Sequence, residues 1–221
     1  MAWPIVCFDL DGTLLDTREG IVASLVYAAE KAGLGRPKAD ESTFIGPPLR
    51  DIFIQGYGAD DERADAAVVA YREFYVQGAM HQNQPYPGIP ELLAELRKDG
   101  RTLAVCTAKP WVYAREILEH RGLLAHFAAV SGPEFDGRRS DKPAIIRHAM
   151  SQLERDPEAA ESYGGVVMIG DRHYDIGGAQ VVGAASIGVT WGFGAREELE
   201  AARPDHLVDD AAGLRALLLG G

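Results

Sequence analysis

The stretch Trp3-Pro4-Ile5-Val6-Cys7-Phe8-Asp9-Leu10-Asp11-Gly12-Thr13 decides how the rest of the chain is read. Its first half is a short apolar run with branched residues that stops at a carboxylate. A run of this length and kind predicts a strand buried on both faces, as parallel sheets require. Similar runs recur at Thr102 to Cys106, Phe127 to Val130, Val166 to Ile169 and Ala185 to Val189. Helical patterns accompany them at Ile89 to Lys98, Pro110 to His120, Lys142 to Gln152 and Tyr174 to Val182. Strand alternating with helix predicts right-handed βαβ units and an α/β fold with a doubly wound, Rossmann-like parallel sheet.

One region breaks that rhythm. From Arg18 to about Gln84 no convincing strand is visible, only helical periodicity. Ile21, Leu25, Ala28 and Ala29 fall on one helix face, and Ala67, Val68, Tyr71, Phe74 and Tyr75 on another. Gly33, Gly35 and Gly46-Pro47-Pro48 punctuate the segment, and Pro85-Tyr86-Pro87-Gly88 makes a stiff return to the alternating pattern. The expected organisation is an all-helical cap domain at 17–85, inserted into a discontinuous α/β core at 1–16 and 86–221. The connections near Leu15–Arg18 and Gln84–Gly88 would serve as hinges of a lid.

The 221 residues carry 22 Lys plus Arg against 33 Asp plus Glu, a net charge of −11. That balance disfavours nucleic acid and anionic membranes, which bind clustered cations. A small anionic substrate stays open, because one bound cation or local positive centre outweighs a distant negative surface. Cys7 and Cys106 each lie in an apolar run, outside any CxxC pair, so they read as buried thiols. No segment approaches a membrane-spanning length, no secretory leader is recognisable, and a reducing cytoplasm is expected. Oligomeric state stays open between monomer and homodimer.

Four motifs stand at predicted strand ends or helix starts. Asp9-Leu10-Asp11-Gly12-Thr13 closes the first strand, where α/β sheets hold their ligands, and its two acids project to one side. Oxygen donors of this kind suit Mg²⁺, although a turn with acidic caps reads the same way. Thr107, before Ala108-Lys109-Pro110, places a hydroxyl and backbone N–H groups at a helix start, a phosphate-binding arrangement and also an ordinary N-cap. Lys142 opens a helix after Asp141, where a solvated charge is the common outcome. Val166-Val167-Met168-Ile169-Gly170-Asp171 ends a buried strand in an acid, with Asp175 one helical turn on. Each motif alone has a structural reading; the ordered set points to phosphoryl chemistry.

From Asp9 to the last predicted strand the chain resembles the haloacid dehalogenase-like hydrolase superfamily, in the branch with a helical cap after the first strand. The resemblance implies that Asp9 is the nucleophile forming an aspartyl phosphate and that Asp11 is the general acid and base. It implies that Thr107 binds a phosphoryl oxygen and that Lys142 neutralises nucleophile and phosphate. Mg²⁺ would be held by Asp9, the Asp11 carbonyl and Asp171, with Asp175 in support. Cation and lysine answer a physical need, since a carboxylate and a phosphate dianion repel each other.

Asp11 argues against carbon–halogen or phosphonate cleavage, because relatives with those activities lack the second aspartate. Mutases of the branch usually carry a histidine just beyond the DT; here the stretch is Asp16-Thr17-Arg18-Glu19-Gly20-Ile21, which favours hydrolysis over a β-phosphoglucomutase-like reaction. The Gly20-Ile21 pair, Phe44-Ile45-Gly46-Pro47-Pro48-Leu49 and Gly188-Val189-Thr190-Trp191-Gly192 resemble phosphoglycolate phosphatase-type members. A phosphatase of small phosphorylated metabolites is expected, phosphoglycolate first, with nucleoside monophosphates or pyrophosphate as alternatives. A phosphoacceptor signalling domain would order its acids differently and lack the insertion. Gly12, Thr13, Ala108, Lys109, Gly46 and Arg50 are the candidate substrate-binding residues, Arg50 for a substrate carboxylate. Ala108 departs from the Asn of many relatives and alters a contact near the phosphoryl group. His173 is a further candidate, whereas Trp111 and Trp191 read as packing residues and Glu197-Glu198 as a solvated helix start.

Overall fold

Six parallel strands form the central sheet in the order β5-β4-β1-β6-β7-β8 in a computed structural model that describes residues 3–37, 44–153 and 164–220. They are β1 (Ile5–Phe8), β4 (Thr102–Cys106), β5 (Ala129–Ser131), β6 (Val166–Gly170), β7 (Ala185–Val189) and β8 (His206–Val208). All four residues of β1 are buried, because the strand lies between β4 and β6 and is covered on both faces. Its side chains alternate: Ile5 and Cys7 pack with Ala104, Cys106, Ile145, Ala149, Met168 and Ala179 on one face. Phe8 meets Phe127 edge-on, at a ring separation of 6.4 Å.

The helices of this unit are α4 (Ile89–Lys98), α5 (Trp111–His120), α6 (Lys142–Gln152), α7 (His173–Val182), α8 (Arg196–Ala202) and α9 (Ala211–Leu219). Gly88, in the left-handed region at φ 81°, turns the chain into α4, and Asp141 caps α6 by accepting from Ala144 N at 2.8 Å. Cys7 and Cys106 are free, buried thiols. The observed strands match the predicted ones closely, except that β5 sits later than Phe127 to Val130. The short edge strand β8 gave no hydrophobic run and was not anticipated.

The chain divides into two compact units, Met1–Leu15 with Pro85–Gly221, and Asp16–Gln84. A two-stranded sheet of β2 (Leu15–Asp16) and β3 (Gln84–Pro85) marks the two points where the chain crosses. The second unit holds α1 (Arg18–Lys31), α2 (Leu49–Asp51), a π-helical turn at Ile52–Gly56 and α3 (Asp61–Val76). Residues 38–43 of the inserted stretch lie outside the described residues. α1 buries Ile21, Leu25, Ala28 and Ala29, the face its periodicity predicted. α3 buries Ala64, Ala67, Tyr71 and Tyr75, a stripe rotated slightly from the expected one; Val68 and Phe74 are half-buried. Tyr27 of α1 stacks on Phe74 of α3 at 4.5 Å. No described helix is long and apolar enough to cross a membrane.

Candidate active site

The strand order reverses at β1, so the chain leaves the carboxyl end of β1 toward β4 on one side and returns through β6 on the other. A crevice forms at such a point, and the motif residues surround it. Asp9 follows β1, Thr107 follows β4, and Asp171 follows β6. All three are buried. Lys142, the first residue of α6, and Asp175, in the first turn of α7, complete the group.

Lys142 Nζ lies 2.6 Å from Asp175 Oδ1 and 3.3 Å from Asp9 Oδ1, and it donates to the Cys106 carbonyl at 3.0 Å. Carboxylate oxygens of Asp9, Asp171 and Asp175 all lie within 4.8 Å of one another. Burial works against the Lys142 ammonium, but the Asp175 and Asp9 carboxylates more than offset it and hold the lysine charged. Burial raises Asp9, opposed by Lys142 and assisted by Asp175. Burial, then the Asp175 and Asp9 charges, push Asp171 well above the usual carboxylate range.

Three buried acids share one ammonium, so the cluster lacks the cationic charge that would let all three ionise. Asp175 Oδ1 and Asp9 Oδ1 are both buried and face the same ammonium, Lys142 Nζ, at 2.6 and 3.3 Å, and one ammonium cannot fill the lone pairs of both carboxylates. Unfilled lone pairs on hard oxygen donors, with that shortage of cationic charge, fit a divalent cation at Asp9, Asp171 and Asp175.

The structure brings the remaining core candidates to the same crevice. Lys109 Nζ pairs with Asp11 Oδ2 at 3.1 Å, and Lys109 N–H donates to Thr107 Oγ1 at 3.2 Å. Thr107 also makes a side-chain hydrogen bond with Asp9. Ala108 is exposed between them. Gly12, at φ +79°, lets the loop close on Asp171, whose carboxylate a Cβ there would strike. Thr13 donates its hydroxyl to Asp171 Oδ1 at 3.3 Å. His173 places Nδ1 2.6 Å from Glu198 Oε1.

Gly46 and Arg50 belong to the second unit, and Arg50 there pairs with Asp61 at 2.5 Å and Asp65 at 2.7 Å. Sequence reasoning missed two supports. Phe193 N–H donates to Asp171 Oδ2 at 2.7 Å, and Glu198, read as a solvated helix start, accepts from Arg172 and His173. The available signal was Gly192-Phe193-Gly194 just after the β7 strand, but spacing alone does not tell which strand end that turn folds over.

The family model for haloacid dehalogenase-like hydrolases matches residues 6–189. The chain belongs to that family. This haloacid dehalogenase-like hydrolase is 45% identical over 219 residues to a 5'-nucleotidase of Pseudomonas aeruginosa, covering 99% of this chain and 96% of that one. It is 34% identical to a phosphoglycolate phosphatase of Agrobacterium fabrum, covering 97% and 92%. It is also 41% identical over 192 residues to the tyrosine-protein kinase PtkA of Mycobacterium tuberculosis, covering 86% of this chain but 63% of that protein. The structure of a predicted phosphatase from Clostridium acetobutylicum superposes with a TM-score of 0.88 at 39% identity, covering 99% of each chain. The hydrolase is an enzyme of the phosphatase type.

Proposed function

We propose that the chain is a Mg²⁺-dependent phosphomonoesterase that works through an aspartyl phosphate on Asp9. The observation that carries this reading is the placement of Asp9 between Lys142 and the Asp171–Asp175 pair. Mg²⁺ held by Asp9, Asp171 and Asp175, with the Asp11 carbonyl, would neutralise charge on the phosphate and on its transition state.

Asp9 attacks phosphorus, and the bond from phosphorus to the ester oxygen breaks. Asp11 gives that oxygen its proton, so the alcohol leaves. Water then attacks the phosphorus of the Asp9 acyl phosphate while Asp11 takes the water proton; the bond from phosphorus to the Asp9 oxygen breaks, the Asp9 carboxylate is restored and inorganic phosphate departs. Lys142 screens Asp9 from the incoming dianion, and the Thr107 hydroxyl receives a phosphoryl oxygen. Lys109, resting on Asp11, holds that carboxyl beside the leaving oxygen.

For the substrate we place a nucleoside monophosphate before phosphoglycolate. Arg50 was the sequence candidate for a substrate carboxylate, but it already faces two aspartates, and one cation among two anions does not attract a third. The name of the 45% identical relative supports the same order. Phosphoglycolate is kept as the second reading by the 34% identical relative and the Gly46-Pro47-Pro48 motif. Free thiols at Cys7 and Cys106 suit a reducing cytoplasm, where small phosphorylated metabolites are the expected partners. The test is phosphate release from nucleoside monophosphates, phosphoglycolate, hexose phosphates and pyrophosphate, with and without Mg²⁺. A Mg²⁺-dependent preference for a nucleoside monophosphate is expected. Release that is equal in wild type and Asp9→Asn overturns the mechanism, and a preference for phosphoglycolate overturns the substrate order.

A further inference from the structure

Outside the residues just described, three donors converge on a single carboxylate oxygen. Glu198 Oε1 on α8 accepts from Arg172 Nε at 2.9 Å and from His173 N–H at 3.0 Å, and it lies 2.6 Å from His173 Nδ1. Only Arg172, His173 and Tyr174 separate Asp171 from Asp175, so two of these three linking residues are tied to Glu198. Arg172 also carries the tie inward. Its backbone N–H donates to Asp175 Oδ2 at 3.1 Å, while its guanidinium holds Glu198.

The other acid is held from the same segment, since Phe193 N–H donates to Asp171. Gly194 permits this fold-over, because a Cβ there would collide with the Asp171 carbonyl. α8 is anchored at its far end as well: Gln180 of α7 donates to the carbonyls of Ala202 at 3.0 Å and Arg203 at 3.1 Å. Buried like charges on Asp9, Asp171 and Asp175 push their carriers apart. A four-residue step between two of them needs an external brace to stay in ligating geometry, and residues that orient ligands in this way set metal affinity.

We propose that Glu198 is a positioning residue that fixes the Asp171–Asp175 step and thereby sets the affinity for the divalent cation. The inference rests on the reading of that cluster as a Mg²⁺ site. The experiment is calorimetric titration of the whole chain with Mg²⁺ alone, beside Mg²⁺-dependence of phosphate release, for wild type, Glu198→Ala, Glu198→Gln and Glu197→Ala. Glu198→Ala is expected to weaken Mg²⁺ binding about 10- to 100-fold. Its release rate should return to near the wild-type value at saturating Mg²⁺. Glu198→Gln keeps an accepting oxygen and should fall between, while Glu197→Ala, which removes the same charge from the neighbouring exposed position, should match wild type.

A lower melting temperature with an unchanged Mg²⁺ dissociation constant in both Glu198 variants overturns the proposal, as does equal weakening by Glu197→Ala. If Glu198→Ala does not fold, Glu198→Gln decides between these outcomes. Failure of the underlying reading looks different, because wild type itself would then take up no Mg²⁺.

Discussion

Lys142 and Arg50 each sit between two carboxylates, Lys142 with Asp9 at 3.3 Å and Asp175 at 2.6 Å, Arg50 with Asp61 at 2.5 Å and Asp65 at 2.7 Å. The Lys142 side chain is 5% exposed and that of Arg50 43%. Water solvates every member of the Arg50 group, so its geometry is loosely determined and salt screens it. Around Lys142 the charges have no water to turn to, and each depends on its neighbours being present. The same arrangement is a solvated surface cluster in the helical unit and a buried, acid-rich cluster in the core unit. Burial makes the difference.

The sharpest break of this comparison is Asp9→Asn, which removes the proposed nucleophile and keeps its shape. Phosphate release should fall at least about 10³-fold, measured under single-turnover conditions. Lys142→Met comes next, since it strips the ammonium that pairs with Asp9 and Asp175 from a buried acidic cluster. A stability loss of about 3–5 kcal/mol is expected in urea unfolding, together with loss of phosphate release. Mg²⁺ addresses the same shortage of cationic charge from outside. At about 100 times its dissociation constant it should raise the wild-type melting temperature by about 5–10 °C, and Asp171→Asn should abolish the gain.

A finer test uses two adjacent glycines of α7. A Cβ on Gly178 would lie 2.5 Å from Lys142 Cγ, whereas one on Gly177 would meet nothing within 4 Å. Gly178→Ala should therefore destabilise by about 1–3 kcal/mol and slow phosphate release by displacing Lys142. Gly177→Ala should stabilise by about 0.5–1 kcal/mol through helix propensity alone. Chemical denaturation of the pair gives opposite signs if the lysine stem is as tightly held as the geometry indicates. The smallest effect belongs to Arg50→Ala, whose thermal unfolding should differ little from wild type and become indistinguishable from it at high salt.

The parallel strands were legible because burial on both faces leaves an unbroken apolar run, as in Ile5–Phe8 and Val166–Ile169. β8 was not, since His206–Val208 lies at the sheet edge, half open to water, and needs no such run. The α3 stripe was read nearly in register, with Ala64 missed because it lies in the first turn among the charged residues Asp61, Glu62, Arg63 and Asp65. In the candidate site, Asp9, Thr107, Lys142 and Asp171 could be picked out because each follows a strand or opens a helix, and Asp11 and Asp175 by their spacing from Asp9 and Asp171. Glu198 could not, because nothing in Arg196-Glu197-Glu198 distinguishes an acid facing solvent from one facing Arg172.

By itself the sequence determined the fold class and marked out the candidate site residues, because strand burial and helix starts are local patterns that survive in one dimension. Only the tertiary structure decided which charges share a low-dielectric space. It set Lys142 against Asp175, Lys109 against Asp11 and Glu198 against the Asp171–Asp175 step. Those pairings join residues far apart in the chain, and their energies depend on distance and burial, which no local pattern records.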